Sequence, residues 1–383
     1  MAYDAPVVVG FYALDDSGVR QLWNWLLRRH GLSEGAKFDS VLKIAHATLG
    51  LHAARLPSPF ATVIARSVSP AVALTLFDTE THADLMTVRC MRKTLHTLPL
   101  GLVAVAHGAT LHFRERDALR AITNANVGLR DIAGTVDAMV ELLSREGPML
   151  HRMIEARLNA RTPVVVVRLA LKLAWEQGVL TYRNDTAGWN RENRKFGLTA
   201  EMYPGLNMSM DRGKAMGELI REYFDRYGPA SLRDAMWWSG LPRATIATAM
   251  NESARRFVAV RAPWCQSPLY MYDDRHDEFQ DAASRPQVST LSFLAHEDVV
   301  LKSYFESRGR YLGGLPSGCV FNRIGEALPT IMYCGQIVGR WAWDANKMSV
   351  TYSIMNGHNS PELRKEVRRQ AKALSETLRL RWV

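Results

Sequence analysis

Residues 214–261 read KAMGELIREYFDRYGPASLRDAMWWSGLPRATIATAMNESARRFVAVR, and their grammar decides the fold. Met216, Leu219, Ile220 and Phe224 recur at helical spacing, which predicts an amphipathic helix over Lys214–Tyr227. Gly228-Pro229 ends it, since proline lacks the amide hydrogen a helix needs. Ser231 or Asp234 can cap a short helix that finishes at Trp237-Trp238. After Ser239-Gly240, Arg243–Arg255 reads as a third helix and Phe257–Arg261 as a strand. The spacing is that of a helix–turn–helix, with Arg243, Arg255 and Arg256 on its last helix.

The same grammar recurs loosely upstream. Pro163–Glu176 suits a helix, Val179–Arg183 a strand, Asn184–Asp185 a turn and Lys195–Leu198 a returning strand. A helix followed by a two-stranded hairpin is the back half of a winged helix. This hairpin carries Arg183, Arg191, Arg194 and Lys195, which suits a wing laid along phosphates; the alternative is an ordinary basic surface hairpin. Further helices are expected over 19–30, 38–51, 61–66, 82–87, 117–124, 134–144 and 148–158. Residues 263–287 read as a Pro-, Asp- and Arg-rich connector. Strands are expected over 288–294, 319–324, 330–333, 336–343 and 349–354, with Tyr333-Cys334-Gly335-Gln336 as a hairpin turn. From Pro361 the chain becomes one basic helix with Leu363, Val367, Ala371, Leu374 and Leu378 on its apolar side. The expected fold is therefore mainly α with β hairpins, an α+β chain of tandem winged-helix units with a C-terminal β-rich subdomain. The parts expected are a helical/winged-helix domain at 1–160, a second unit with the basic hairpin at 161–210, a third at 211–262, and the β-rich subdomain with its basic helix at 263–383.

Composition narrows the function. The chain has 383 residues, 47 % hydrophobic and 22 % charged, so a large core can form; disorder and collagen are excluded. Its apolar stretches are too short or too charged to cross a membrane, and no membrane partner is expected. No basic region precedes the short apolar run near the N-terminus, so no secretory signal is expected. Cys90, Cys265, Cys319 and Cys334 stand far apart, which argues against zinc and a disulfide framework and suits a reducing cytoplasm. Net charge is +10, distributed as +2, +4 and −3 over successive hundreds and +7 over the final 83 residues. Such a field attracts polyanions, nucleic acid first among them.

Most catalytic signatures are absent. There is no phosphate-binding loop, no H-E-x-x-H and no G-x-S-x-G. Ser40-Val41-Leu42-Lys43 matches S-x-x-K without a partner motif, a chance-level pattern. The carboxylates Asp273, Asp274, Asp277, Glu278 and Asp281 around His276 fit no known cation loop. No metal and no cofactor are expected.

Four blocks in order carry a resemblance. Tyr227–Leu241, within REYFDRYGPASLRDAMWWSGLP, resembles the Tyr-Gly-Pro-Ala … Asp … Trp-Ser-Gly-Leu block of the AlkZ-like bacterial winged-helix DNA glycosylases, the family that unhooks interstrand crosslinks. Val88–His96 resembles its Val-Arg … Arg-Gly-Thr-Leu-His segment, with Lys93 in place of the glycine. Leu291–Arg308 and Ile331–Trp343 resemble its Leu-Leu-Pro … Asp-Pro-Tyr-Leu … Arg block and its Gly-Arg-Val-Val-Gly-Trp hairpin. The blocks span roughly residues 40–355.

The catalytic block departs from the family pattern, Gly-Leu-Gln-x-Gln. Here Gly50-Leu51 is followed by His52 and then Ala54, so both glutamines are gone. In the resemblance the two amides orient water and stabilise the cationic sugar. A neutral imidazole at His52 would orient water and accept its proton near neutral pH; alanine does neither. His52 is expected at a helix end, projecting into the cleft; its other reading is a structural histidine bonding a backbone carbonyl. Arg89, Arg92 and Lys93 suit phosphate or substrate-anion contacts, while Thr94 and His96 match the block and equally suit a structural bridge. Asp298 and Arg308 match the β-rich block, or pair with each other. The resemblance implies double-stranded DNA bearing a bulky alkylated purine as partner, in self-resistance to a genotoxic metabolite. The alternatives are a relative recruited to small-molecule biosynthesis with His52 as its acid–base residue, and a catalytically silent lesion or drug binder.

Overall fold

The computed structural model describes residues 6–78, 83–185, 188–282, 290–355, 357 and 360–380. The chain opens with a strand, β1 (Val8–Ala13), and a helix, α1 (Asp16–Arg29), whose N-terminus is capped by Asp15 accepting from the Gly18 amide at 2.7 Å. A first helix–strand–helix–helix–hairpin unit follows: α2 (Val41–Ala47), β2 (Leu51–His52), α3 (Pro57–Arg66), α4 (Pro70–Leu74), β3 (Leu85–Arg89) and β4 (Leu95–Pro99). Its strands lie in the order β2-β4-β3. A long helix, α5 (Leu100–Asn124), leads to a second unit: α6 (Leu129–Glu146), β5 (Met149–Leu150), α7 (His151–Leu158), α8 (Val164–Glu176), β6 (Leu180–Asn184) and β7 (Arg194–Leu198). Its order, β5-β7-β6, repeats the first.

A one-turn helix, α9 (Thr199–Met202), precedes the third unit: α10 (Arg212–Tyr227), α11 (Leu232–Ser239), α12 (Arg243–Asn251), β8 (Phe257–Ala262) and β9 (Cys265–Tyr272). Here the short first strand is reduced to a bridge between Ala230 and Tyr270, and β1 adds to β8 in parallel. The remainder holds α13 (Asp273–Ala282), β10 (Leu291–Leu294), α14 (Val299–Lys302), β11 (Thr330–Tyr333), β12 (Gln336–Asp344), β13 (Ser349–Ile354) and α15 (Pro361–Arg379), with the strands as one antiparallel sheet. This is the mainly helical, tandem-unit, β-rich-tail architecture the sequence predicts. No helix among the described residues is long and apolar enough to cross a membrane.

Local rules account for much of it. Ser231 and Asp234 form a reciprocal capping box on α11, and Gly240 ends that helix in the left-handed conformation. Cys334 and Gly335, with φ of 47° and 84°, make the β11–β12 turn. Leu363, Val367, Ala371, Leu374 and Leu378 are all buried on α15.

Other expectations fail for physical reasons. The helix expected over 38–51 stops at Ala47, because Leu49 and Gly50 take positive φ and Gly50 admits no side chain: a Cβ there would lie 2.4 Å from Leu98. Residues 100–116 form the greater part of α5, missed because that helix is buried on several sides and shows no single apolar face. From Leu85 the stretch expected as helix is strand, and residue 82 lies outside the described residues. The 263–287 connector is instead β9 and α13, with 283–287 outside the described residues. Residues 319–324 form no strand; Phe321 makes only a single bridge to Ala327. Positions 288–289 of the next expected strand also lie outside the described residues.

The units do not stand alone. One apolar cluster runs from Met86 and Val88 of the first unit through Val103 and Ala106 of α5 to Tyr223, Phe224 and Trp238 of the third and Ile337 of the last sheet. Buried ions cross the same boundaries. Arg66 on α3 holds Asp298, the residue that caps α14, in two hydrogen bonds of 2.7 and 2.9 Å, and both side chains are fully buried. Asp298 therefore pairs with Arg66, not with Arg308, whose guanidinium lies over the rings of Phe305 and Phe321. Asp234 accepts from the amides of Phe305, Glu306 and Ser307 as well as from its own cap.

Removing one partner of a buried pair leaves the other charge without solvent. Asp298→Ala is expected to cost about 3–5 kcal/mol in urea unfolding, and Arg66→Met with Asp298→Ala to recover much of it. A single-variant loss below about 1 kcal/mol would show that the pair is not what joins α3 to α14.

Candidate functional site

His52 lies on β2, directly opposite His96 on β4, and not on a helix end. Because strand residues alternate faces, His52 and His96 share one face of the sheet while Leu51 and Thr97 share the other. The imidazole is 3 % exposed and lines a small cleft of about 20 Å³, room for about one water. The cleft is walled by the turn joining β3 to β4, by Thr48 and Gly50, by Tyr227 at the end of α10, by Trp238 on α11 and by Lys302 on α14. Three regions distant in sequence meet there.

The ring of His52 meets that of His96 edge-on, with centroids 5.3 Å apart. Neither of its nitrogens has a hydrogen-bond partner, and both are fully buried. Buried polar atoms are nearly always paired, so two orphans on one ring single it out. The backbone-carbonyl bond of the structural reading is not made. Oε2 of Glu297 lies 3.7 Å from Nε2.

Glu297 was not legible as a site residue. It is buried, with φ of 57°; its amide donates to the Ala327 carbonyl at 2.8 Å, and the Ala327 amide donates to its Oε1 at 2.6 Å. Its other oxygen is ion-paired with Lys302. The one sequence signal is a carboxylate inside an otherwise apolar block, LSFLAHEDVV, beside the helix cap Asp298.

Burial pushes the His52 imidazole down to about 2, with His96, Lys302 and Arg92 adding to the effect. Burial also lowers His96 to about 4. Both rings are thus neutral at ordinary pH. His52 can accept a hydrogen bond there, but its surroundings oppose the proton uptake near pH 7 that its ordinary pKa suggests. The Lys302 ammonium is lowered by burial as well, against the pull of Glu297.

The remaining predicted residues fall into two groups. Arg92, Thr94 and His96 line the cleft with His52. Thr94 donates to the Met91 carbonyl at 2.9 Å, and His96 Nδ1 lies 3.5 Å from Cys90 Sγ, so both also brace the turn. Arg89 and Lys93 are committed elsewhere. Arg89 pairs with buried Glu176 and donates to the Lys93 carbonyl; Lys93 pairs with Asp117. Glu176 holds Arg114 too, so this network fastens β3 and α5 to α8.

The basic hairpin is less open than its sequence suggests. Arg183 donates to the Met202 carbonyl and lies over the Tyr203 ring. Arg194 pairs with Glu192, and Lys195 with Asp185. Arg191 is exposed. Tyr182, Arg183 and Arg194 wall a second cavity, about 60 Å³, whose opposite side is Ala53, Thr87 and Thr97 on the back of the His52 sheet. The acidic cluster is likewise neutralised: Asp273 by Arg256, Asp274 by Arg255, and Glu278 by Arg29 and Arg275. No group of residues suited to hold a metal ion occurs among the described residues. Ser40 caps α2 and Lys43 pairs with Asp39, so S-x-x-K is structural.

Repeated helix–helix–hairpin units and a cleft of buried polar side chains are thus the features that define the class of this protein. The chain belongs to the AlkZ-like DNA glycosylase family, whose profile, "DNA glycosylase AlkZ-like", matches residues 46–377. Its fold is similar to that of Streptomyces sahachiroi DNA glycosylase AlkZ, with a TM-score of 0.73 at 17 % identity, covering 94 % of this chain and 96 % of that one. No curated protein matches the sequence.

Four buried histidines with strongly lowered pKa values contribute most to the acid response. His30 is lowered to about 3 and His107 to about 4, both by burial first, alongside His52 and His96. Unfolding frees each ring to bind a proton below its ordinary pKa near 6.5, while the folded rings stay neutral to far lower pH. The unfolded state then holds more protons, so stability falls as pH drops below about 6.5, by on the order of 1 kcal/mol per pH unit for each ring. Urea unfolding should give midpoints that fall steeply from pH 7 to 5. A flat profile there would mean that these rings titrate normally in the folded protein.

Proposed function

We propose that this protein is a DNA glycosylase-like protein that engages duplex DNA and acts on bulky alkylated purines, with His52 as the residue that positions water. The observation that carries this reading is the buried His52 ring with two unpartnered nitrogens, at the place of the first amide in the Gly-Leu-Gln-x-Gln pattern. In N-glycosidic hydrolysis a water oxygen bonds to C1′ while the C1′–N9 bond breaks and its electrons enter the purine. An N7-alkylguanine already carries the positive charge those electrons cancel, so the leaving base needs no proton. The protein must hold the water and stabilise the cationic sugar. A neutral imidazole accepts a hydrogen bond from the water, and the Glu297 carboxylate facing it supplies negative charge. The water's proton leaves to solvent.

Ala54 contributes neither a donor nor an acceptor, and it is exposed two residues beyond His52. Slow excision, or lesion recognition without excision, fits that loss. Self-resistance to a genotoxic metabolite and a cytoplasmic location belong to the same reading, as does a division of the chain at residues 160, 210 and 262. Recruitment to small-molecule biosynthesis is the competing outcome of the tests.

DNA binding is expected to follow salt. With about five phosphates neutralised, the log–log slope of affinity against salt should be roughly −4 to −5. Absence of duplex binding at low salt would remove the DNA reading. For chemistry, His52→Ala should lower excision of N7-alkylguanine about 10²–10⁴-fold. Wild-type activity should stay level from pH 8 to 6, because the ring titrates far below that window. The pair His52→Gln and Ala54→Gln should raise excision. A recruited biosynthetic enzyme would instead lose its own reaction and gain nothing on DNA.

A further inference from the structure

Arg92 is the one arginine lining the His52 cleft, and no hydrogen bond or ion pair among the described residues uses its donors. It sits in the turn joining β3 to β4 with φ of 53°, followed by Lys93 at 63°. Two consecutive non-glycine residues in the left-handed region are a costly conformation that the surrounding structure must hold. The guanidinium lies 3.7 Å from the ring centroid of Trp237, and that indole in turn stacks on Phe305 at 5.7 Å. Among the described residues no hydrogen bond or ion pair engages the Arg92 guanidinium. Arg66 is held by Asp298, and Arg89 and Arg114 by Glu176.

Arg92 and Lys302 share one facing carboxylate, that of Glu297, which is ion-paired with Lys302. His52 and His96 are neutral at ordinary pH. One positive charge therefore remains in a cleft walled by aromatic rings. A guanidinium clamped by stacking keeps its in-plane donors free and pre-aimed, which suits two oxygens of one oxyanion.

We propose that Arg92, stacked on Trp237 and backed by Lys302, is a receptor for a phosphate group in the His52 cleft. This deepens the glycosylase reading and rests on it for the source of the phosphate: the phosphodiester flanking a nucleotide drawn out of the duplex. The same chemistry takes the phosphate of a free nucleotide. A phosphodiester on Arg92 cancels the cleft's excess charge, so a cationic purine beside it is no longer repelled. In the free protein that charge opposes such a base.

The test has two arms, each with wild type, Arg92→Lys and Arg92→Gln, and circular dichroism confirms that all three are folded. In the first arm, calorimetry at low salt compares 2′-deoxyguanosine 5′-monophosphate, deoxyguanosine and inorganic phosphate. In the second, a duplex with an abasic analogue is compared with the same duplex carrying one neutral methylphosphonate linkage beside it. Wild type is expected to prefer the charged member in at least one arm by about tenfold or more, with Arg92→Lys keeping part of that preference and Arg92→Gln none. Preference in the duplex arm assigns the phosphate to DNA. Preference in the nucleotide arm with no duplex binding keeps the receptor and removes the DNA reading. If the phosphate charge makes no difference in either arm, or if the preference survives in Arg92→Gln, the assignment is overturned.

Discussion

The buried ion pair of Arg66 and Asp298 is the constraint on which the site depends. Arg66 ends a helix of the first unit, and Asp298 caps the short helix that carries Lys302. Both charges are shut away from water, so neither tolerates displacement of the other. Glu297 precedes Asp298 directly, and its left-handed backbone turns its carboxylate toward β2 while Asp298 points at Arg66. Through this pair, two segments at opposite ends of the sequence hold His52, Glu297 and Lys302 in one cleft.

The third unit closes the cleft from the other side by a separate set of bonds. Asp234 caps its own helix and also receives three amides from residues 305–307. Tyr227 donates to the Thr48 carbonyl, and Tyr304 donates to the Tyr227 carbonyl. These bonds bring Trp237 and Trp238 against the β3–β4 turn. That turn, the tip of the β3–β4 hairpin, is folded into the protein, which is why Arg92 faces a cleft and not open solvent.

Net charge is a poor guide to where this protein meets an anion. Arg66, Arg89, Arg114, Arg255 and Arg275 are ion-paired with Glu176, Asp225 or Asp298, and two residues of the second hairpin have carboxylate partners beside them. Arg92 has no such partner among the described residues, lies over the Trp237 ring and lines the His52 cleft. The outer face of α15, with Arg368 and Lys372 exposed, contributes to the overall field without touching the cleft.

The sequence by itself determined those features that short-range physics controls. These are the capping box at Ser231 and Asp234, the turn at Cys334-Gly335, the apolar face of α15, the hairpin over 180–198 and the helix–helix–hairpin grammar. Its ordered blocks also pointed to the family, and His52 stood out because it replaced an amide. Tertiary structure decided the rest. Residues 100–116 are helical because neighbours bury them on several sides, which leaves no periodic stripe to read. The break after Ala47 depends on Gly50 lying against Leu98. Glu297 and Lys302 gain a role only by meeting His52 across a fold closed by buried charges, and no local pattern encodes that meeting. The ionisation of His52 is likewise a property of burial and of cations from other segments, so its residue type alone suggested a proton acceptor where the folded protein holds a neutral ring.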